Sequence, residues 1–165
     1  MTTSHRCWVY GDNVNTDVIF PGKYTYTLKT PEEIAAHALE DLDPGFASAV
    51  QPGDIIVAGR NWGCGSSREQ AVTALKYAGI HVIIAESFGG IYFRNCINQG
   101  VLPIVCPDLR AAVQTGDTIM LDLQAARIQK GGQIFTFPRL SPSVQAILDA
   151  GGLVPMLRRR FAEGA

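Results

Sequence analysis

Residues 54–85 constrain this chain more than any other stretch. Asp54-Ile55-Ile56-Val57-Ala58 is a short run of mostly branched apolar residues, as a strand buried on both faces requires. Ala71, Ala74, Leu75 and Ala78 then recur at helical spacing, and Gly79 stops the helix. Ile80-His81-Val82-Ile83-Ile84-Ala85 reads as a second buried strand. Strand, helix and strand over so short a span make a right-handed βαβ unit with parallel strands. Such units place ligands where the carboxyl end of the first strand meets the helix. That position is filled by Gly59-Arg60-Asn61-Trp62-Gly63-Cys64-Gly65-Ser66-Ser67-Arg68-Glu69.

Two readings fit the residue types of this turn. In the first, Gly59, Gly63 and Gly65 let backbone N–H groups approach a ligand closely. Those amides and the helix N-terminus favour an anion, and the same field eases ionisation of Ser66 or Ser67. Arg68 adds a planar fork suited to a carboxylate or phosphate. In the second, Ser66-Ser67-Arg68-Glu69 is an S-x-x-E capping box, in which Ser66 caps the helix and Glu69 reaches back. Spacing alone leaves both standing.

Composition bounds the rest. With 165 residues, 47% of them apolar, the chain can bury one core, and a single domain over residues 1–165 is expected. A net charge of −1 provides no field for nucleic acid or a membrane surface. No apolar run approaches the roughly 18 residues of a membrane span, and the N-terminus lacks the pattern of a leader peptide. Cys7, Cys64, Cys96 and Cys106 contain no C-x-x-C, so metal or cluster ligation by this chain is not expected, and a reducing cytoplasm is. Cys64 has no His nearby in sequence and reads as a small residue that fits the turn; Cys96 and Cys106 read as core.

Residues 5–10 read as a first strand leading into the polar Asn15-Thr16-Asp17. Residues 23–29 have no helical period and read as a mobile loop. Thr30-Pro31-Glu32-Glu33 is a helix start, with Ile34, Ala35, Ala38 and Leu39 on the buried face and His37 at the surface. A helix is expected over 88–98 and a core strand over 103–106. Residues 118–123, 126–129 and 133–137 read as short antiparallel strands, with Gly131-Gly132 as a hairpin turn. Ser141-Pro142 caps a last helix, Gly151-Gly152 ends it, and Arg158-Arg159-Arg160 reads as a solvated basic tail.

Three blocks carry a family resemblance. The turn is similar to the Gly-x-Gly-Ser-Ser-Arg-Glu signature of the swivelling domain of the aconitase superfamily. Gly11-Asp12-Asn13-Val14-Asn15-Thr16-Asp17-Val18-Ile19-Phe20-Pro21-Gly22 is similar to that family's D-N-x-x-T-D-x-I-x-P signature. Ser87-Phe88 through Arg94-Asn95, then Asn98-Gln99-Gly100 and Leu102-Pro103, form the third. At this length the chain resembles the small subunits of 3-isopropylmalate dehydratases.

The resemblance implies an α/β fold, a three-layer β/β/α swivelling domain. It also implies reversible dehydration and rehydration of a 2-hydroxy di- or tricarboxylate. The activity would exist only beside a large subunit carrying an open [4Fe–4S] cluster. Carried over, Ser66 matches the base, acting as an alkoxide, while Ser67 and Arg68 match substrate-carboxylate contacts. Thr16, Asp17, Gly63, Cys64 and Gly65 match the supporting loops. An ungapped count from Thr16-Asp17 puts Lys29 where aconitase itself uses an arginine to hold a substrate carboxylate. In the small subunits that loop selects the substrate's side group: basic for a carboxylate, apolar for isopropyl. Leu28-Lys29-Thr30 is closer to the basic version, and Thr25-Tyr26-Thr27 makes the loop longer than usual. Lys29 also reads as an ordinary exposed lysine before a helix.

The leading expectation is conversion of 2-isopropylmalate to 3-isopropylmalate, a step of leucine biosynthesis. Homoaconitate and dimethylmalate or methylmalate hydro-lyases on the same scaffold remain open, as does a non-catalytic anion-binding module. The turn lacks the G-K-[ST] lysine of a P-loop, and Lys76 is far along the helix. Near-neutral charge without interleaved aromatic and basic residues argues against RNA binding.

Overall fold

The computed structural model describes residues 1–164. Strand β1 spans Thr2–Val9, and three short helices follow it: α1 (Thr16–Ile19), α2 (Pro31–Ala36) and α3 (Phe46–Ala49). Then β2 (Ile55–Ala58), α4 (Gln70–Tyr77), β3 (Val82–Ala85), α5 (Gly90–Asn98) and β4 (Leu102–Val105) alternate. Strands β5 (Thr118–Asp122), β6 (Arg127–Lys130) and β7 (Gln133–Thr136) come next, and α6 (Pro142–Asp149) and α7 (Leu153–Glu163) complete the described chain. The strands form one sheet in the order β4-β3-β2-β1-β5-β6-β7. Strand β1 is its pivot, parallel to β2 with Val9 opposite Val57 and antiparallel to β5 with His5 opposite Ile119.

The parallel strands face two cores, which is why their sequence is apolar without alternation. Trp8, Ile56, Ala58, Ile83 and Ala85 pack under the helices with Leu75, Tyr92 and Cys96. Cys7, Ile55, Val57, Ile84 and Ile104 point the other way, against Ile119, Leu121 and Ile128. Strands β5 and β6 therefore curl behind the parallel strands, giving the β/β/α layering expected from the resemblance. Strand β5 has one wet face and alternates accordingly, with Ile119 and Leu121 buried and Met120 37% exposed.

At the amino end of β2, a buried carboxylate ties it to β1 and to the chain before it. Asp54 Oδ2 accepts hydrogen bonds from Arg6 Nη2 (2.7 Å), Trp8 Nε1 (2.9 Å) and the Gln51 amide (2.9 Å). Burial alone would raise the Asp54 carboxyl; these bonds outweigh it and hold the group below the usual carboxylate range.

Local rules succeed where the interactions are local. Thr30 accepts from the Glu33 amide at 3.2 Å while the Glu33 carboxylate takes the Thr30 amide, completing the expected capping box of α2. Three expectations are corrected. Residues 23–29 open on a 3-10 turn at Gly22–Tyr24, whose Tyr24 ring packs on Phe20 and His37. His37 is half-buried in that stack, with Nδ1 2.6 Å from Glu40 Oε2, rather than at the surface. The basic tail is helical: Arg158, Arg159 and Arg160 lie exposed on α7. Its Pro155 falls in the first turn, where a missing N–H costs nothing. Among the described residues no helix is long and apolar enough to cross a membrane.

Candidate active site

Beyond the carboxyl ends of β1 and β2 the chain keeps pairing. The Gly59 amide donates to the Gly11 carbonyl (3.1 Å), Asn13 to Arg60 (2.8 Å), Gly63 to Val14 (2.8 Å) and Thr16 to Cys64 (2.8 Å). On the other flank the Trp62 amide donates to the Ser87 carbonyl (3.1 Å), and the Gly89 amide to that of Trp62 (2.9 Å). The three sequence blocks thus lie side by side in the order of the strands that precede them. Asn13 and Asn61 both adopt left-handed backbone, φ 57° and 59°, which Asn tolerates. The Asn61 side-chain Nδ2 donates to Asn13 Oδ1 across the seam at 3.2 Å. Asp12 closes its end by accepting from the Arg60 amide (2.7 Å), which with the Arg60 guanidinium holds its carboxyl below the usual range.

Ser66 and Ser67 are exposed at the tip of this ribbon. Helix α4 begins only at Gln70, with Glu69 as a cap that makes no side-chain bond. The capping box that the spacing permits is therefore not formed, and Ser66 lies ahead of the helix rather than in its first turn. The Ser66 hydroxyl instead shares a hydrogen bond with that of Thr16 at 3.3 Å. Thr16 is buried, so one partner of that pair is fixed and the other is open to solvent.

Arg68 reaches back to the first block. Its Nη2 donates to Asp17 Oδ1 at 3.0 Å, and the same oxygen accepts from the Gly22 amide at 2.9 Å. Its Nη1 is buried and has no partner among the described residues. An unpaired buried guanidinium N–H is costly, and one further acceptor would relieve it. Gly63 fits only as glycine: its φ is +78°, and an added Cβ would collide with the Tyr92 ring.

The structure thus brings Ser66, Arg68, Thr16 and Asp17 together, with Gly63, Cys64 and Gly65 as the strip beneath them. Among the described residues no hydrogen bond or ion pair joins Lys29 to them. Lys29 is exposed; its amide donates to Glu33 Oε2 at 3.2 Å, and its ammonium forms no ion pair among the described residues. Sequence reasoning missed Asp17 as the arginine's partner and Thr16 as the serine's. The blocks themselves were the available signal, since no local pattern pairs residues some fifty positions apart.

The cysteines are divided between locations. Cys96 lies under the helices, Cys7 and Cys106 lie between the sheet layers, and Cys64 sits half-buried in the ribbon. Burial pushes the Cys7 thiol up to about 12 and raises Cys96 and Cys106, so these three behave as small hydrophobes. Among the described residues no three His, Cys, Asp or Glu gather as a metal site. A groove of about 280 Å³ opens elsewhere, between Leu102, Ile104, Phe137 and Leu140. Its lining has no carboxylate, thiol or hydroxyl, and so no proton-transfer chemistry.

Residues 11–109 match the aconitase C-terminal domain family, and the chain belongs to that family. Within it, the similarity extends to free-standing small subunits. The chain is 43% identical to the 3-isopropylmalate dehydratase small subunit of Heliobacterium modesticaldum, covering 99% of each. It is 48% identical to the methanogen homoaconitase small subunit of Methanothermobacter thermautotrophicus, over 90% of this chain and 86% of that one. Its fold superposes on a crystal structure of 3-isopropylmalate dehydratase from Methanocaldococcus jannaschii with a TM-score of 0.93. That match has 40% identity and covers 99% of this chain and 98% of the other.

Proposed function

We propose that this chain is the small subunit of a hydro-lyase that converts 2-isopropylmalate to 3-isopropylmalate by dehydration and rehydration. The observation that carries this reading is the convergence of an exposed, Thr16-anchored Ser66 with Arg68, whose buried Nη1 lacks an acceptor. The full-length likeness to dehydratase small subunits selects the reaction.

The reaction needs a base for a C–H proton beside a carboxylate, cations to hold carboxylates, and a Lewis acid to help hydroxide leave. Ser66 Oγ takes the proton, with the Thr16 hydroxyl orienting it. Arg68 holds a carboxylate, exchanging an unsatisfied N–H for a charge-assisted bond, and Ser67 is a second contact on the same exposed tip. The cysteines do not fit a cluster on this chain, since three lie buried in two separate cores. The Lewis acid belongs to a large subunit bearing a [4Fe–4S] cluster. The small subunit is then half of an active site.

Reconstitution tests this. The isolated chain should leave an unsaturated diacid untouched, and adding the cluster-bearing large subunit should restore turnover. Homogeneous chain that is active alone would sink the proposal. A second reading, a substrate with a carboxylate side group, is supported by the unengaged Lys29 ammonium and by the homoaconitase relative. Replacing Lys29 with Leu should shift kcat/KM toward isopropylmalate over homoaconitate by roughly tenfold, the loss of one charge-assisted contact. An unchanged ratio would mean that the side chain faces solvent.

A further inference from the structure

We propose that Tyr92 is a positioning residue that clamps both ends of the segment carrying Ser66, Ser67 and Arg68. This rests on the reading of Ser66 and Arg68 as site residues.

Tyr92 lies on α5, in the third sequence block, and is 2% exposed. Its ring lies directly on Gly63, near the far end of the ribbon; Cγ, Cβ and Cδ1 of Tyr92 all occupy the space a side chain there would need. Its hydroxyl donates to the Ala71 carbonyl at 2.9 Å, in the first turn of α4. Gly63 and Ala71 bracket the reactive stretch. Between them, Ser66 has one side-chain hydrogen bond, to Thr16, and Arg68 has one, to Asp17. Two side-chain contacts are few for a segment that must hold a base to within about half an ångström. One rigid, buried aromatic residue fixes where the segment leaves and where it re-enters regular structure, so its span is set by α5 rather than by its own exposed residues. An apolar core residue would fill the same space without reaching the carbonyl. The hydroxyl is the atom that makes this a clamp.

Tyr92→Phe keeps the ring and removes the bond to Ala71. In the assembled two-subunit enzyme, kcat should fall about tenfold or more while KM changes less than about twofold, well below the melting temperature. Amide hydrogen exchange in the isolated chain should quicken by at least tenfold at residues 68 and 71–73, whose amides are hydrogen-bonded around the start of α4, with β2 and β3 unchanged. Tyr92→Leu, which also empties the space against Gly63, should extend the faster exchange to Gly63 and lower kcat further. Normal kcat and normal exchange in Tyr92→Phe, beside an inert Ser66→Ala enzyme, would overturn the clamp and leave the site intact. A kcat loss that disappears on cooling would also overturn it, because that marks a stability effect. An active Ser66→Ala enzyme would instead remove the site reading, and the clamp with it.

Discussion

The two ends of the parallel strands are both polar, and they are built on opposite plans. At the amino ends, Asp54 is buried and its Oδ2 accepts from Arg6, Trp8 and the Gln51 amide at 2.7–2.9 Å. At the carboxyl ends, Ser66 and Ser67 are exposed and a buried N–H of Arg68 has no acceptor. The first arrangement is closed at Oδ2, where adding a ligand could only break bonds. The second leaves bonding capacity unfilled, at a cost the fold must offset elsewhere. Polar groups that saturate one another stabilise; polar groups left unsaturated in an over-determined frame are available for chemistry.

Mutations at the two ends should therefore separate turnover from stability. The largest effect is expected at the open end. Ser66→Ala should cut kcat of the assembled enzyme by roughly 10²–10⁴, the usual cost of losing a general base, with a nearly unchanged melting curve. Near-normal turnover would assign Ser66 to loop structure alone.

Asp54→Asn should do the reverse. Removing the charge should cost about 2–4 kcal/mol of folding stability, less than for a fully enclosed pair because Arg6 is 41% exposed. Turnover of the folded, assembled enzyme should be preserved, and a matching loss of kcat would erase the contrast between the ends.

Acid sharpens the same point. The folded Asp54 carboxyl is held below its unfolded value of about 3.9, so its contribution is complete above that pH and disappears as pH falls through the folded value. Urea melts of Asp54→Asn and the native chain should differ at pH 7 and converge toward pH 3. A gap that persists in acid would locate the effect in packing.

The smallest of these effects is expected at Arg68. Arg68→Lys should lower kcat/KM by about tenfold, about 1.4 kcal/mol, because an ammonium cannot reach Asp17 and a substrate carboxylate with one planar fork. Unchanged kinetics would mean that the arginine only fastens the loop.

Much of this was legible in the sequence, and the illegible parts share a cause. The buried strands, the α2 capping box and the βαβ unit follow from neighbours within a few residues, and the structure has them. The Ser66-to-Glu69 spacing obeys the same capping rule, yet Thr16, fifty residues earlier, takes the serine hydroxyl instead. The ribbon joining residues 11–16 to 59–64 is likewise invisible to any short window, because every bond in it spans distant chain. Arg158-Arg159-Arg160 misled for a different reason: three adjacent charges conceal a helix that Leu153, Val154, Met156 and Leu157 announce. Ser66, Ser67 and Arg68 stand out in the sequence as candidates; the contacts of Ser66 with Thr16 and of Arg68 with Asp17 are visible only in three dimensions.

The ribbon also bears on how such a chain can diverge. Its register is fixed by backbone bonds at Gly59, Asn13, Gly63 and Thr16, and no residue from 23 to 29 contributes to them. Residues can be gained or lost in that segment without sliding Ser66 against Thr16. Thr25-Tyr26-Thr27, with Tyr26 89% exposed, shows how freely such an extension can stand away from the body. An insertion of one residue between 59 and 64, in contrast, would slide Ser66 off Thr16 and Arg68 off Asp17.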